Sequence, residues 1–299
     1  MRRAHADGPR RRTRGIALLV AVAGTALVAT LAVGVARWAL AGTRLAASTA
    51  DALQAEALVR SGVTMAAVLL EERAATREAD GLTGVLGDEP LRQPLGGGTI
   101  AVRIEDATRR LDLGAPELAP AVRGLITALG LEPALADTLG DWIDTDDVPR
   151  PHGAERQWYL GRQPPLAPAN APLGAVSQLA LVRGWSDAAI ARVRPFVATS
   201  GERAVNPNTA SPAVLAAWLG SESAAEAMLE RRARGWVPCT GMPACATRTH
   251  FYLVHVEARV HDTVRAVSAT LWVPPIGPAD VRSLVPSAPE KAGEPEALA

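Results

Sequence analysis

The chain has 299 residues, of which 48% are hydrophobic, and equal numbers of basic and acidic residues, 31 of each. That length allows one or two domains, and the apolar fraction suffices for a packed core. Six of the arginines precede residue 15, leaving a mildly acidic remainder, which argues against a general polyanion-binding surface and makes nucleic acid a weak partner.

A basic leader with Arg2, Arg3, Arg10, Arg11, Arg12 and Arg14 ends at Gly15, and from Ile16 to Ala36 there is no charged residue. About 20 helical residues at ~1.5 Å each cross the ~30 Å hydrocarbon core of a bilayer, so this stretch predicts a membrane span. The arginines keep the N-terminus on the cytoplasmic side and send the rest across. Three readings share this segment. A cleaved secretory signal has small residues after its core (Ala39, Ala41, Gly42) but a shorter apolar run. An uncut anchor fits length and charge. A leader cut between Gly15 and Ile16 on the cytoplasmic side leaves the apolar helix as a new N-terminus and accounts for the abrupt Arg-Gly-Ile boundary.

No proline follows Ile16 until Pro90, and residues 38–79 are rich in Ala, Leu, Glu and Arg, which predicts one continuous helix over 16–80. Leu58, Met65 and Leu69 recur at helical spacing while Arg60, Glu71 and Arg73 stay polar, so the second half is amphipathic and rests on something. Gly81 to Gly98 reads as a loop, broken by Pro90, Pro94 and Gly96-Gly97-Gly98. Ile100, Val102 and Ile104 then alternate with Ala101, Arg103 and Glu105 as a half-buried strand, and a second short strand is expected at 110–112.

From 115 to 245 strand patterns give way to a faint repeat. Leu129-Gly130, Arg183-Gly184 and Leu219-Gly220 are each followed by alanine four residues later (Ala134, Ala188, Ala224), reading as helix, glycine turn, helix. The last unit opens with Asn206-Pro207-Asn208-Thr209-Ala210-Ser211, rich in capping residues. It looks like a helix-hairpin-helix module, which opens the alternative of a membrane-anchored DNA-binding or uptake protein. However, Gly220 is followed by Ser221-Glu222-Ser223, without the second glycine that aims amides at phosphate and with an added acid.

Between the first two units lies Asp141-Trp142-Ile143-Asp144-Thr145-Asp146-Asp147, then Gly153-Ala154-Glu155 and Trp158-Tyr159. Carboxylates at a helix C-terminus oppose its partial negative charge unless a cation compensates. Asp141 and Asp144 share a face by i, i+3 spacing, Asp146 extends the set, and Glu155 can fold back across Pro149 and Pro151. Hard oxygen ligands of this kind suit calcium, while Arg150 and Arg156 equally allow a solvated, charge-balanced loop. Trp142, Trp158 and Tyr159 are assigned to packing.

Cys239 and Cys245, with five residues between them, are the only cysteines. On the oxidising side of a bacterial membrane a disulfide is expected; a redox pair would favour C-x-x-C, and zinc would need two more ligands where only His250 is near. Tyr252, Val254, Val256, Ala258 and Val260 line one strand face. His261-Asp262 marks a turn, and Val267, Ala269, Leu271 and Val273 return to complete the sheet begun at Ile100. From 274 to 299 no periodicity remains, and a disordered tail is expected. No phosphate loop, His-Glu-x-x-His or Gly-x-Ser-x-Gly occurs, so no enzyme is expected; a metal-dependent hydrolase built on the carboxylates would lack neutral histidine ligands.

Arg14-Gly15-Ile16-Ala17-Leu18-Leu19 resembles the prepilin peptidase site of the pilin and pseudopilin superfamily, except that Val20 stands where most members carry a glutamate. That departure, Asp-Trp-Ile-Asp-x-Asp with Gly-Ala-Glu and an aromatic, and Asn170-x-Pro172-Leu173 are together similar to the K-class minor pseudopilins of type II secretion (general secretion pathway protein K). The resemblance covers Arg14 to about Val273. It implies an α+β pilin-like fold: a basic leader (1–15), a transmembrane and stalk helix (16–80), an antiparallel sheet (97–114 and 246–273) and a large all-helical insert (115–245). It also implies processing by prepilin peptidase at Gly15 and Ile16, and assembly through Ile16 and Val20 at the pseudopilus tip with I- and J-class minor pseudopilins. The protein would lie in the bacterial inner membrane with its C-terminal region in the periplasm, and calcium would bind among Asp141, Asp144, Asp146 and Glu155.

Overall fold

A computed structural model of the chain describes residues 11–76, 80–81, 86 and 89–287. Most of the basic leader (1–10) and the end of the tail (288–299) lie outside the described residues. The chain divides into two units, Met1–Gln54 and Ala55–Ala299. The helix α1, Arg11–Thr76, supplies the first unit, where its apolar side chains from Ile16 onward are exposed. Among the described residues one helix is long and apolar enough to cross a membrane.

In the second unit the last turns of α1 pack on a five-stranded antiparallel sheet of order β1-β2-β5-β6-β7. Its members are β1 (Leu91–Leu95), β2 (Gly98–Asp106), β5 (Phe251–Val260), β6 (Thr263–Trp272) and β7 (Asp280–Pro286). The seam runs Ala55, Leu58, Val59, Gly62, Val63, Ala66 and Leu70; it keeps the expected Leu58 and buries Ala66 and Leu70, with the expected Met65 and Leu69 half-buried beside them. Small residues decide this: a methyl at Gly62 would sit 2.5 Å from Val256 Cγ1, so the helix rides close on the strand beneath. The sheet presents Ile100, Val102 and Ile104 of β2 and the expected alternating residues of β5 and β6 to that seam, with Val102 opposite Val256 and a turn at His261-Asp262.

Two strands correct the expected boundaries. The stretch read as a loop contains β1, joined to β2 through Gly96 and Gly97, both with positive φ. Pro94 is tolerated there because β1 is an edge strand. Within the expected disordered tail, β7 pairs with β6 around a bulge and is exposed along its whole length, so no hydrophobic alternation announces it.

The region 107–245 carries a separate core and six further helices: α2 (Ala119–Ala128), α3 (Ala134–Ile143), α4 (Arg156–Leu160), α5 (Asp187–Val193), α6 (Pro212–Leu219) and α7 (Glu222–Arg234). It is not all-helical. β3 (Leu111–Asp112), expected to extend the first strands, leaves the main sheet and pairs in parallel with β4 (Val197–Ala198). Asp112 holds this pair by accepting from Gly114 N, Gly201 N and Ser200 Oγ. The three repeat glycines all adopt left-handed φ (Gly130, Gly184, Gly220). The first and last turn between α-helices, whereas the middle one follows a 3-10 segment, Val176–Leu181. Ser186, Ser211 and Ser221 cap the helices they precede.

The two cores meet at a buried polar joint. Asp106, at the end of β2, accepts from Thr108 Oγ1, Thr209 Oγ1 and, at 3.1 Å, Asn206 Nδ2; the same amide donates to Asp80 O at 2.8 Å. Asp80 also accepts from Tyr252 Oη and pairs with Arg73. Burial raises the Asp106 carboxyl to about 6, against the hydroxyls that lower it. Cys239 and Cys245 are joined, Cα atoms 5.5 Å apart, beside a bridge from Val205 to Cys245.

Candidate metal centre

The helix α3 ends at Ile143, with Asp144 as its C-cap, and the chain loops through 145–154 to Glu155, the residue before α4. One face of α3 places Asp141 and Asp144 together, and the returning loop brings Glu155 onto them: one carboxylate oxygen from each lies within 4.8 Å of the others. Asp141 is fully buried, Glu155 is 6% exposed and Asp144 is half-buried. Glu155 makes no side-chain cap to α4, so its carboxylate is free of the duty its position usually carries.

Arg150 enters from the loop. Its Nη1 donates to Asp141 Oδ1 at 2.6 Å and Asp144 Oδ2 at 2.5 Å, and its backbone N donates to the Asp141 carboxylate. Two glycines make the room. A methyl at Gly140 would fall 2.7 Å from the guanidinium carbon of Arg150, and one at Gly153 would overlap the Asp141 carboxylate. The partial charge at the end of α3, unfavourable to carboxylates, is thereby met by a cation.

That cation does not satisfy the set. Asp144 Oδ1 and both oxygens of Glu155 are buried without a hydrogen-bond partner. Buried, unpartnered carboxylate oxygens are costly unless a positive charge stands before them. Burial, then the charges of Asp141, Asp144, Asp147 and Asp146, push the Glu155 carboxyl up to about 7. A buried acidic triad of this kind can bind a metal, and three oxygen donors suit a hard cation.

Of the four carboxylates predicted from sequence, three converge. Asp146 lies apart, exposed, with Oδ1 accepting from Val148 N at 2.9 Å. Sequence spacing left Arg150 and Arg156 equivalent; only Arg150 turns inward, and Arg156 is exposed. Asn170, in positive φ, donates its backbone N–H to Trp142 O, and its buried Oδ1 has no partner. Trp142 and Tyr159 pack edge to face at 5.0 Å under the site. Tyr159 Oη accepts from Arg183 N, and Trp158 lies at the surface with Arg162 and Arg183 against its ring. At the last hairpin, Ser221 Oγ accepts from Ala224 N, occupying the amide end that would otherwise face an anion.

The model for the type II secretion system (T2SS), protein K, matches residues 107–201, which hold the triad. The type II secretion system protein K of Klebsiella pneumoniae is 31% identical over 251 residues, covering 75% of this chain and 77% of that protein. The protein of the same name from Pectobacterium carotovorum subsp. carotovorum is 26% identical over 297 residues, covering 85% and 90%. Among solved structures, a chain in the crystal structure of the GspK-GspI-GspJ complex from the enterotoxigenic Escherichia coli type 2 secretion system superimposes with a TM-score of 0.67. The match is at 20% identity, over 82% of this chain and 99% of that one.

Proposed function

The chain belongs to the type II secretion system protein K family, a membrane-anchored pseudopilin family rather than a family of enzymes, and from that premise we propose that it caps the tip of a pseudopilus. In this reading it is anchored in the bacterial inner membrane by α1, with its sheet and helical region in the periplasm. Prepilin peptidase cuts after Gly15, and the freed amine of Ile16 receives the glutamate of the subunit below. The observation that carries the tip position is Val20. An apolar side chain at that point of the helix makes no demand for a partner amine above, where an acid in a low dielectric could not be left unpaired. In this reading the bulk of the region from 107 to 245 also blocks further addition.

A GspK chain is found with GspI and GspJ in the complex from enterotoxigenic Escherichia coli, and the same partner classes are proposed here. The assembly would initiate or cap the pseudopilus and so aid protein export across the outer membrane. Co-purification of the full chain with the I- and J-class minor pseudopilins of its own system tests this. A ternary complex is the expected result, and a chain that ignores both partners overturns it.

Calcium is the ion proposed for the triad, held by Asp141, Asp144 and Glu155. When bound it supplies a divalent crosslink between the end of α3 and the start of α4. The protein's own residues fix the loop at both ends, exclude solvent from Asp141 and Glu155, and keep Trp142 and Tyr159 packed beneath. The unpartnered oxygens of Glu155 and Asp144 support this assignment. Asp146 is not included among the ligands.

A further inference from the structure

We infer that Arg150 is a permanent part of the cation site: a positioning residue that holds the Asp141 carboxylate and Asp144 Oδ2 and sets the net charge of the site to match a divalent ion. This rests on the metal reading above and adds a charge-selecting element to it.

Two alternatives exist for an arginine among metal-binding carboxylates. As a stand-in, it would occupy the place of the ion and leave when the ion arrives. As a fixture, it would stay and share the carboxylates. The geometry separates them. A stand-in would take up every oxygen that the ion needs, yet Arg150, which engages both Asp141 oxygens and Asp144 Oδ2, leaves Asp144 Oδ1 and both Glu155 oxygens unpartnered. Its guanidinium also has a seat of its own. The backbone of α3 at Gly140 leaves no space for a side chain because Arg150 Nε, Cζ and Nη1 fill it, and Arg150 N is bonded to the same Asp141 carboxylate.

With all three carboxylates ionised, the triad carries three negative charges and Arg150 brings it to two, Asp146 and Asp147 lying exposed on the loop outside it. A divalent ion then neutralises it. Charge matching of this kind discriminates by ion valence, because an uncompensated charge in a buried site is costly. Outer partners that orient metal-binding carboxylates typically govern affinity by ~10- to 100-fold. Lysine is an incomplete substitute, since a point charge cannot reproduce the guanidinium's geometry.

The test is titration of the full chain in detergent with Ca²⁺ and with Tb³⁺, for the wild type, Arg150→Gln and Arg150→Lys. Arg150→Gln is expected to weaken Ca²⁺ binding about 10-fold or more while Tb³⁺ binding weakens less or tightens, shifting the ratio toward the trivalent ion. Arg150→Lys is expected to weaken both ions and keep the wild-type ratio, so that the ratio shifts only where the charge is lost, a pattern that loss of structure alone would not give. Circular dichroism checks that each variant is folded, and should Arg150→Gln not fold, the ratio in Arg150→Lys decides. Ca²⁺ binding to Arg150→Gln as tight as or tighter than wild type, or a shifted ratio in Arg150→Lys, overturns the inference and leaves the metal reading intact. Absence of Ca²⁺ binding by the wild type overturns both.

Discussion

Gly153 lies so close to Asp141 that any side chain at that position would overlap the Asp141 carboxylate. The glycine is therefore part of the site although it carries no ligand atom. Gly153→Ala is expected to force the loop off α3, destabilising the protein by ~1–3 kcal/mol as overpacking does, and to abolish any calcium-dependent rise in melting temperature. Thermal melting with and without calcium measures both effects.

Removal of the ion itself should be visible in the same way. A ligand that binds only the folded state at a hundred times its Kd stabilises by ~2.7 kcal/mol, so a chelator should lower the melting temperature of the full chain. Glu155→Gln, which removes the charge whose oxygens stand unpartnered, should make the melt insensitive to calcium. A wild-type melt unchanged by chelator contradicts the metal assignment.

The joint between the two cores predicts a pH dependence. The Asp106 carboxyl is raised from 3.8 to about 6, burial leading, with the charge of Asp80 adding to it and Thr108, Thr209 and Arg109 opposing. Tyr252 faces the same joint. A carboxyl raised on folding binds more protons folded than unfolded, so its contribution to stability falls as pH rises from about 4 to about 6 and is level above that. Asp106→Asn keeps the acceptor for Thr209 and Asn206 and turns the other atom into a donor toward Thr108. Denaturant midpoints between pH 4 and 7 should then lose part of the wild-type slope.

The close approach of α1 to the sheet is tested at Gly62. Gly62→Leu must displace Val256 or lift the helix, and should cost ~1–3 kcal/mol, read as a lower denaturant midpoint at unchanged slope.

These sites differ in how far the sequence disclosed them. β2, β5 and β6 are legible because each buries one face and so alternates, and α1 is legible because its first half is apolar all round. β1 and β7 are not: one carries a proline on an exposed edge, and the other buries neither face, so each is held by backbone pairing that leaves no side-chain signature. Asp141, Asp144 and Glu155 could be assembled from helical spacing and a proline-bent return. Arg150 could not be told from Arg156, because the choice is made by the empty space at Gly140. The bond from Asn206 to Asp106 spans 100 residues of chain, and local capping chemistry was the only signal its segment offered.

The most direct measurement of the central claim is the N-terminal residue of the mature protein, from intact mass and sequencing of membrane-extracted material. The account predicts a chain beginning at Ile16, trimmed on the cytoplasmic side with the apolar helix retained. A chain beginning at Met1, or one starting beyond Ala41 with that helix removed, would contradict it.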